Sequence, residues 1–166
     1  MKKLILVAAA LAFCSNLALW AQADTSTKII TGPGPEDIVI NISDNEATFL
    51  ISTCSRRPGS KEYGEIELVN PKTNLIKILP RIDEPSDLCF KPHGIYLIEI
   101  RNQKFLYVIL HDDIKREHPV VRYIYKDEKL IFDKIYKSEL LISPNAITVF
   151  DDGSFLVCND AGKRGN

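Results

Sequence analysis

A pair of adjacent carboxylates, two imidazoles and a carboxamide stand where apolar runs begin or end along this chain. Glu36-Asp37 precedes Ile38, His93-Gly94 precedes Ile95, Asn145-Ala146 precedes Ile147, and His111 closes the run Val108-Ile109-Leu110. Carboxylate and carboxamide oxygens are hard donors, of which calcium takes six to eight. An imidazole that titrates near neutrality can take a proton from water, and a second one can pass it on. Such a set could polarise a carbonyl and activate a water beside it. Each member also has a structural reading: Glu36 and Asp37 as a solvated turn pair after the loop Thr31-Gly32-Pro33-Gly34-Pro35, and His93 and His111 as hydrogen-bonded core histidines.

Spacing says what must hold these residues. Glu36, His93 and Asn145 lie 57 and 52 residues apart, and a period of roughly 50 residues marks repeats of a four-stranded unit. Alternating apolar residues between polar turns predict strands over 37–41, 47–53, 64–69 and 75–79, then 94–100, 104–111, 120–125 and 130–136, then 146–150 and 155–158. Asn70-Pro71-Lys72-Thr73-Asn74 and Lys126-Asp127-Glu128-Lys129 read as tight turns within the first two units. The reading is an all-β chain, a β-propeller of about two and a half four-stranded blades: about 36–80, about 91–137, and half a blade at about 145–160. A propeller points the start of each blade at a common axis, which would bring the three strand entrances together. A regular hairpin is taken here to carry His93 and His111 to different strand ends, so a contact between them needs one to lie in an adjoining loop.

The first 23 residues are read apart from the fold. Lys2 and Lys3, the apolar stretch to Trp20 and the Ala21-Gln22-Ala23 site form a bacterial-type secretory signal, so the chain is expected to be exported, periplasmic or secreted, with 24–166 as the mature part. Leu11-Ala12-Phe13 before Cys14 lacks the small residue a lipoprotein box wants, and the stretch is too interrupted for a membrane span. Without Lys2 and Lys3, 19 basic residues face 22 acidic ones, a balance against nucleic acid or an acidic membrane as the main partner. Cys54, Cys89 and Cys158 remain, an odd number without a C-x-x-C spacing, which leaves at least one free or intermolecular thiol if they do not read simply as small buried apolar residues in strands.

Other chemistry finds less support. His118 sits among Lys115, Arg116 and Glu117 and reads as a solvated loop histidine. Gly32-Pro33-Gly34 opens no helix, and no G-x-S-x-G elbow exists, which leaves neither a dinucleotide site nor a serine hydrolase. Tyr96, Phe105, Tyr107, Tyr123 and Tyr125 fall at strand positions and are expected to pack between blades rather than to stack on bases.

Four runs together resemble the paraoxonase/arylesterase family in order and spacing: Gly34-Pro35-Glu36-Asp37-Ile38, Lys91-Pro92-His93-Gly94-Ile95, Val108-Ile109-Leu110-His111, and Ser143-Pro144-Asn145-Ala146-Ile147 with Cys158-Asn159-Asp160. The resemblance implies a six-bladed propeller with two calcium ions in its central tunnel, hydrolysing lactones and aryl esters. It implies Glu36 and Asn145 as ligands of the catalytic calcium, and Asp37 with the backbone carbonyl of Ile95 as ligands of a structural calcium. His93 and His111 would then be the base and its proton shuttle.

The chain departs from that family's pattern where Ala146 replaces an aspartate that binds the structural ion, and where no cysteine lies just before the Glu36 loop. Two and a half blades leave sheet edges unpaired, so the sequence is read as the amino-terminal part of a longer protein, inactive as it stands. A non-catalytic binding propeller, or a gluconolactonase- or strictosidine-synthase-like one that needs no histidine pair, are the alternatives.

Overall fold

The computed structural model describes residues 26–43, 45–55, 64–112 and 115–161; the expected leader at 1–23 lies outside them. The first four strands, β1 (Pro35–Ser43), β2 (Glu46–Thr53), β3 (Glu65–Asn70) and β4 (Leu75–Ile78), form an antiparallel sheet in chain order. A two-residue strand, β5 (Arg81–Ile82), follows. Next come β6 (Pro92–Ile100), β7 (Gln103–Leu110), β8 (Val120–Lys126) and β9 (Lys129–Tyr136), a second antiparallel meander to whose outer edge β5 is added. The hairpin of β10 (Pro144–Val149) and β11 (Phe155–Asn159) makes a third sheet. Every expected strand has its counterpart, within a few residues at each end.

Local chemistry accounts for these hairpins. The side-chain oxygen of Asn70 accepts the amides of Lys72 and Thr73, and Asn74 takes φ 59°, so the β3–β4 turn closes on asparagines that tolerate it. Asp127 and Glu128 both have positive φ between the paired Lys126 and Lys129, the backbone of a two-residue turn whose twist suits the flanking strands. The strand β5 escaped the sequence reading. It pairs parallel to β9, Arg81 with Leu130, and two residues carry no period from which pairing across the chain could be read.

The sheets are stacked with the second in the middle. Leu50, Ile66 and Leu68 of the first meet Ile95, Leu106, Val108, Val121 and Tyr123 of the second in one apolar core. On the opposite face Tyr107, Ile109 and Val120 meet Ile147 and Val149 of the third. Tyr107 stacks on Tyr136 and meets Phe155 edge-on, and Tyr123 meets Phe90 and Phe132, as expected of aromatics that pack between sheets. Buried side chains of this size each contribute about 1.5–3 kcal/mol. The first strands lie side by side, β6 between β1 and β10. The result is a partial, propeller-like all-β fold with its strand entrances gathered at one end. At the other end the Lys104 ammonium donates to the Asn41 side-chain oxygen at 2.7 Å, the Ile42 carbonyl at 2.9 Å and the Ser43 hydroxyl at 2.9 Å, joining the first two sheets.

Burial sorts the cysteines: Cys54 is buried, Cys89 half-buried and Cys158 exposed on β11, so the small-apolar reading holds for the first alone. Among the described residues no helix is long and apolar enough to cross a membrane.

A candidate active site at three bulged strand entrances

Each sheet opens with the same local device. In the first, Pro35 pairs with Thr53 and Asp37 with Ser52, leaving Glu36 as one residue too many. In the third, Pro144 pairs with Asn159 and Ala146 with Cys158, leaving Asn145. In the second, Pro92 pairs with Leu110 and Ile95 with Val108, so His93 and Gly94 together oppose Ile109. These are β-bulges, which re-aim a side chain out of the ladder. Proline suits the position before each bulge, at the first residue of a strand where a missing N–H costs little. The echo in the sequence is therefore a structural repeat of proline, bulged residue and resumed pairing.

The bulges bring the first two entrances into contact. The Glu36 carboxylate Oε2 lies 3.0 Å from His93 Nδ1, with side chains only 14% and 10% exposed. Asp37 also crosses to the second sheet: its Oδ2 accepts the Ile95 amide at 2.9 Å, while Oδ1 accepts its neighbour Ile38's amide at 2.8 Å. The Ser52 hydroxyl accepts the Asp37 amide at 3.1 Å and donates to the His93 carbonyl at 2.6 Å. Asp37 and Ile95 are thus joined directly, through the amide of Ile95.

His93 and His111 meet, their ring centroids 4.9 Å apart and planes at 69°. The expectation that a regular hairpin would separate them is overturned, because the start of one antiparallel strand lies beside the end of the next. The His111 amide donates to the Lys91 carbonyl at 3.0 Å across that same end. His111 Nε2 lies 2.7 Å from the Pro144 carbonyl oxygen, which can only accept, so the proton sits on Nε2. His118 is also corrected: it is 9% exposed and packs its ring 4.9 Å from that of His111.

Asn145 stands at the third entrance, close to His93 through the backbone. A Cβ on Gly94 would sit 2.2 Å from the Asn145 carbonyl oxygen, so only glycine lets the second and third entrances close this far. The Asn145 amide group donates to Asp160 Oδ1 at 2.6 Å. Asn159 secures the approach to β10, its Oδ1 accepting the amides of Ile142 and Ser143. Asp160 is not among the site residues the sequence points to; it lies one residue past β11, its amide donating to the Ser143 carbonyl at 2.9 Å. Among the described residues no group of three or more His, Cys, Asp or Glu side chains is arranged to hold a metal ion.

The loop that delivers Glu36 is itself fixed. The Gly32 amide donates to Glu67 Oε1 at 2.8 Å, the Cys54 amide to the Gly34 carbonyl at 3.0 Å, and Gly34 turns with φ 61° against the Cys54 carbonyl. Burial pushes the Glu67 carboxyl above its usual range, with the Gly32 N–H pulling it partly back and Glu65 adding to the rise. Its Oε2 is buried without a hydrogen-bond partner among the described residues.

The profile of the arylesterase family matches residues 35–162, a span that takes in all three bulges and the histidines. The chain belongs to the arylesterase family. Its curated relatives include the serum paraoxonase/lactonase 3 of Homo sapiens and of Mus musculus and the serum paraoxonase/arylesterase 2 of Gallus gallus. Each is 30% identical over 138 residues, which cover 76% of this chain and 37% of the relative. The chain thus spans a little over a third of the length of these relatives.

Proposed function

We propose that this chain forms the opening part of a calcium-dependent, exported hydrolase of lactones and aryl esters. The observation that carries the proposal is the contact between Glu36 and His93, with His111 packed against the same imidazole. A carboxylate on one ring nitrogen fixes the tautomer and stabilises the imidazolium that forms when the other nitrogen takes a proton. Glu36 would hold the proton on Nδ1 of His93 and leave Nε2 to accept one from water. His111, protonated on Nε2 toward Pro144, would relay that proton away. The low exposure of Glu36 and His93 would keep their pairing from being screened by solvent.

The residue types at the gathered entrances suit a hard cation: Glu36, Asp37 and Asn145 are oxygen donors, and Asp160 accepts from the Asn145 amide group. We assign Glu36 and Asn145 to a catalytic calcium, and Asp37 with the Ile95 carbonyl to a second, structural one. These donors make part of a ligand set, in keeping with a chain that spans part of its relatives' length. When bound, the ion would supply positive charge to polarise the ester carbonyl and to stabilise its developing oxyanion. The names of the relatives, serum paraoxonase/lactonase and serum paraoxonase/arylesterase, support both the substrate class and export.

The test is hydrolysis of a γ-lactone and of an aryl acetate by the natural protein that contains this chain. Both activities should be lost with a calcium chelator, return with added calcium, and fall about 100-fold or more in His93→Gln. Activity indifferent to the chelator and to His93→Gln would overturn the assignment.

A further inference from the structure

The ladder between β7 and β8 continues past the strands themselves. Ile109 pairs with Val120, the Leu110 amide donates to the Pro119 carbonyl at 2.9 Å, and Asp112 and Glu117 exchange amide-to-carbonyl bonds at 2.9 and 3.2 Å. That register sets His118 directly across from His111. Past that pair, Asp112 Oδ1 accepts the Lys115 amide at 3.0 Å. His111 consequently has an imidazole on two sides: His93 at 4.9 Å and His118 at 4.9 Å between ring centroids, with planes at 69° and 54° to its own. His118 also lines a cavity of about 630 Å³ together with Pro119, Leu141 and Ile142.

His118 Nδ1 is buried without a hydrogen-bond partner among the described residues. An unpaired buried nitrogen is unfavourable in itself, so packing is what the ring supplies here. A smaller side chain would join the space beside His111 to the neighbouring cavity and leave that ring room to turn. The bond from Nε2–H to the Pro144 carbonyl at 2.7 Å depends on the ring not turning.

We propose that His118 is a positioning residue for His111, holding its Nε2–H on Pro144 and its ring against His93. The part His111 plays in hydrolysis rests on the function proposed above, whereas the orientation of its ring does not. Two measurements therefore separate the two claims.

The first is ring-nitrogen NMR of the natural protein that contains this chain, labelled with ¹⁵N-histidine. His111 should show a single tautomer protonated on Nε2, His118→Ala should convert it to a mixture, and His118→Phe, which keeps a flat ring, should restore it. A His111 pattern unchanged in His118→Ala would overturn the proposal, as would a pattern lost equally in His118→Ala and His118→Phe. Should His118→Ala fail to fold, His118→Phe and His118→Asn decide: the proposal requires the wild-type pattern in the first alone, and any other outcome overturns it. The second measurement is kinetic, on the natural protein. His118→Ala should lower kcat about ten-fold with KM held within about two-fold, and His118→Phe should recover it. A spectroscopic effect with no kinetic one supports the positioning and removes His111 from the reaction.

Discussion

Glu36 reaches from the first sheet to the second, placing its Oε2 3.0 Å from Nδ1 of His93. Glu36 is surplus to its own sheet's ladder and His93 shares one ladder position with Gly94, so the two meet where both strands bulge. The pair depends on charge as well as shape. Glu36→Gln keeps an acceptor beside His93 but removes the negative charge that would stabilise an imidazolium. In steady-state assays of lactone hydrolysis, kcat should fall about 100-fold or more in this variant, by analogy with neutralised carboxylates in other carboxylate–imidazole pairs. Retained kcat would show that the carboxylate serves the fold alone.

Gly94 sets how closely the third sheet approaches the second. Gly94→Ala introduces a methyl 2.2 Å from the Asn145 backbone oxygen, so one of the two entrances must move. The expected cost is about 1–3 kcal/mol, the usual range for overpacking, read as a lower urea midpoint with an unchanged slope.

Glu67 offers a test that varies with pH. Its carboxyl is held above the usual range, chiefly by burial, so the native state favours the protonated form. That contribution to stability is complete below the unfolded-state value and is lost as pH rises through the higher native one. Glu67→Gln still offers an acceptor to the Gly32 amide and has no charge to bury. Its thermal midpoint should match wild type near pH 4 and exceed it at pH 7. A difference that shrinks as pH rises would contradict the assignment.

Lys104 is the corresponding tie at the opposite end of the sheets, with three oxygens within 2.9 Å of its ammonium. Lys104→Met preserves the stem and removes the donors, leaving Asn41, which is 6% exposed, without one of its hydrogen-bond partners. Denaturant titration should show a loss of about 1–3 kcal/mol, the cost of an acceptor deprived of a charged donor.

Much of this arrangement is legible in the chain itself, and the exceptions have physical reasons. Alternation and turn residues mark every long strand, and the triplet of Pro35-Glu36, Pro92-His93 and Pro144-Asn145 marks the three entrances. What composition hides is register. His118 reads as a loop residue by its charged neighbours, yet counting pairs outward from the β7–β8 ladder lands it opposite His111. The same counting along β6 and β7 would have placed His93 and His111 at one end. Strand β5 and the Asp37 bond to the Ile95 amide join residues far apart in sequence, and no local pattern announces either.

The bulged residues also bear on how such a molecule can change. Because Glu36 and Asn145 are surplus to the pairing, and His93 shares one partner position with Gly94, none of the three is needed to complete its own sheet's ladder. Pairing resumes directly after them, at Asp37, Ile95 and Ala146, whatever the surplus residue is. An acid, a base and an amide already occupy the same backbone detour in one chain. The entrances are interchangeable sockets: chemistry can be exchanged at the mouth of each sheet without renegotiating the sheet.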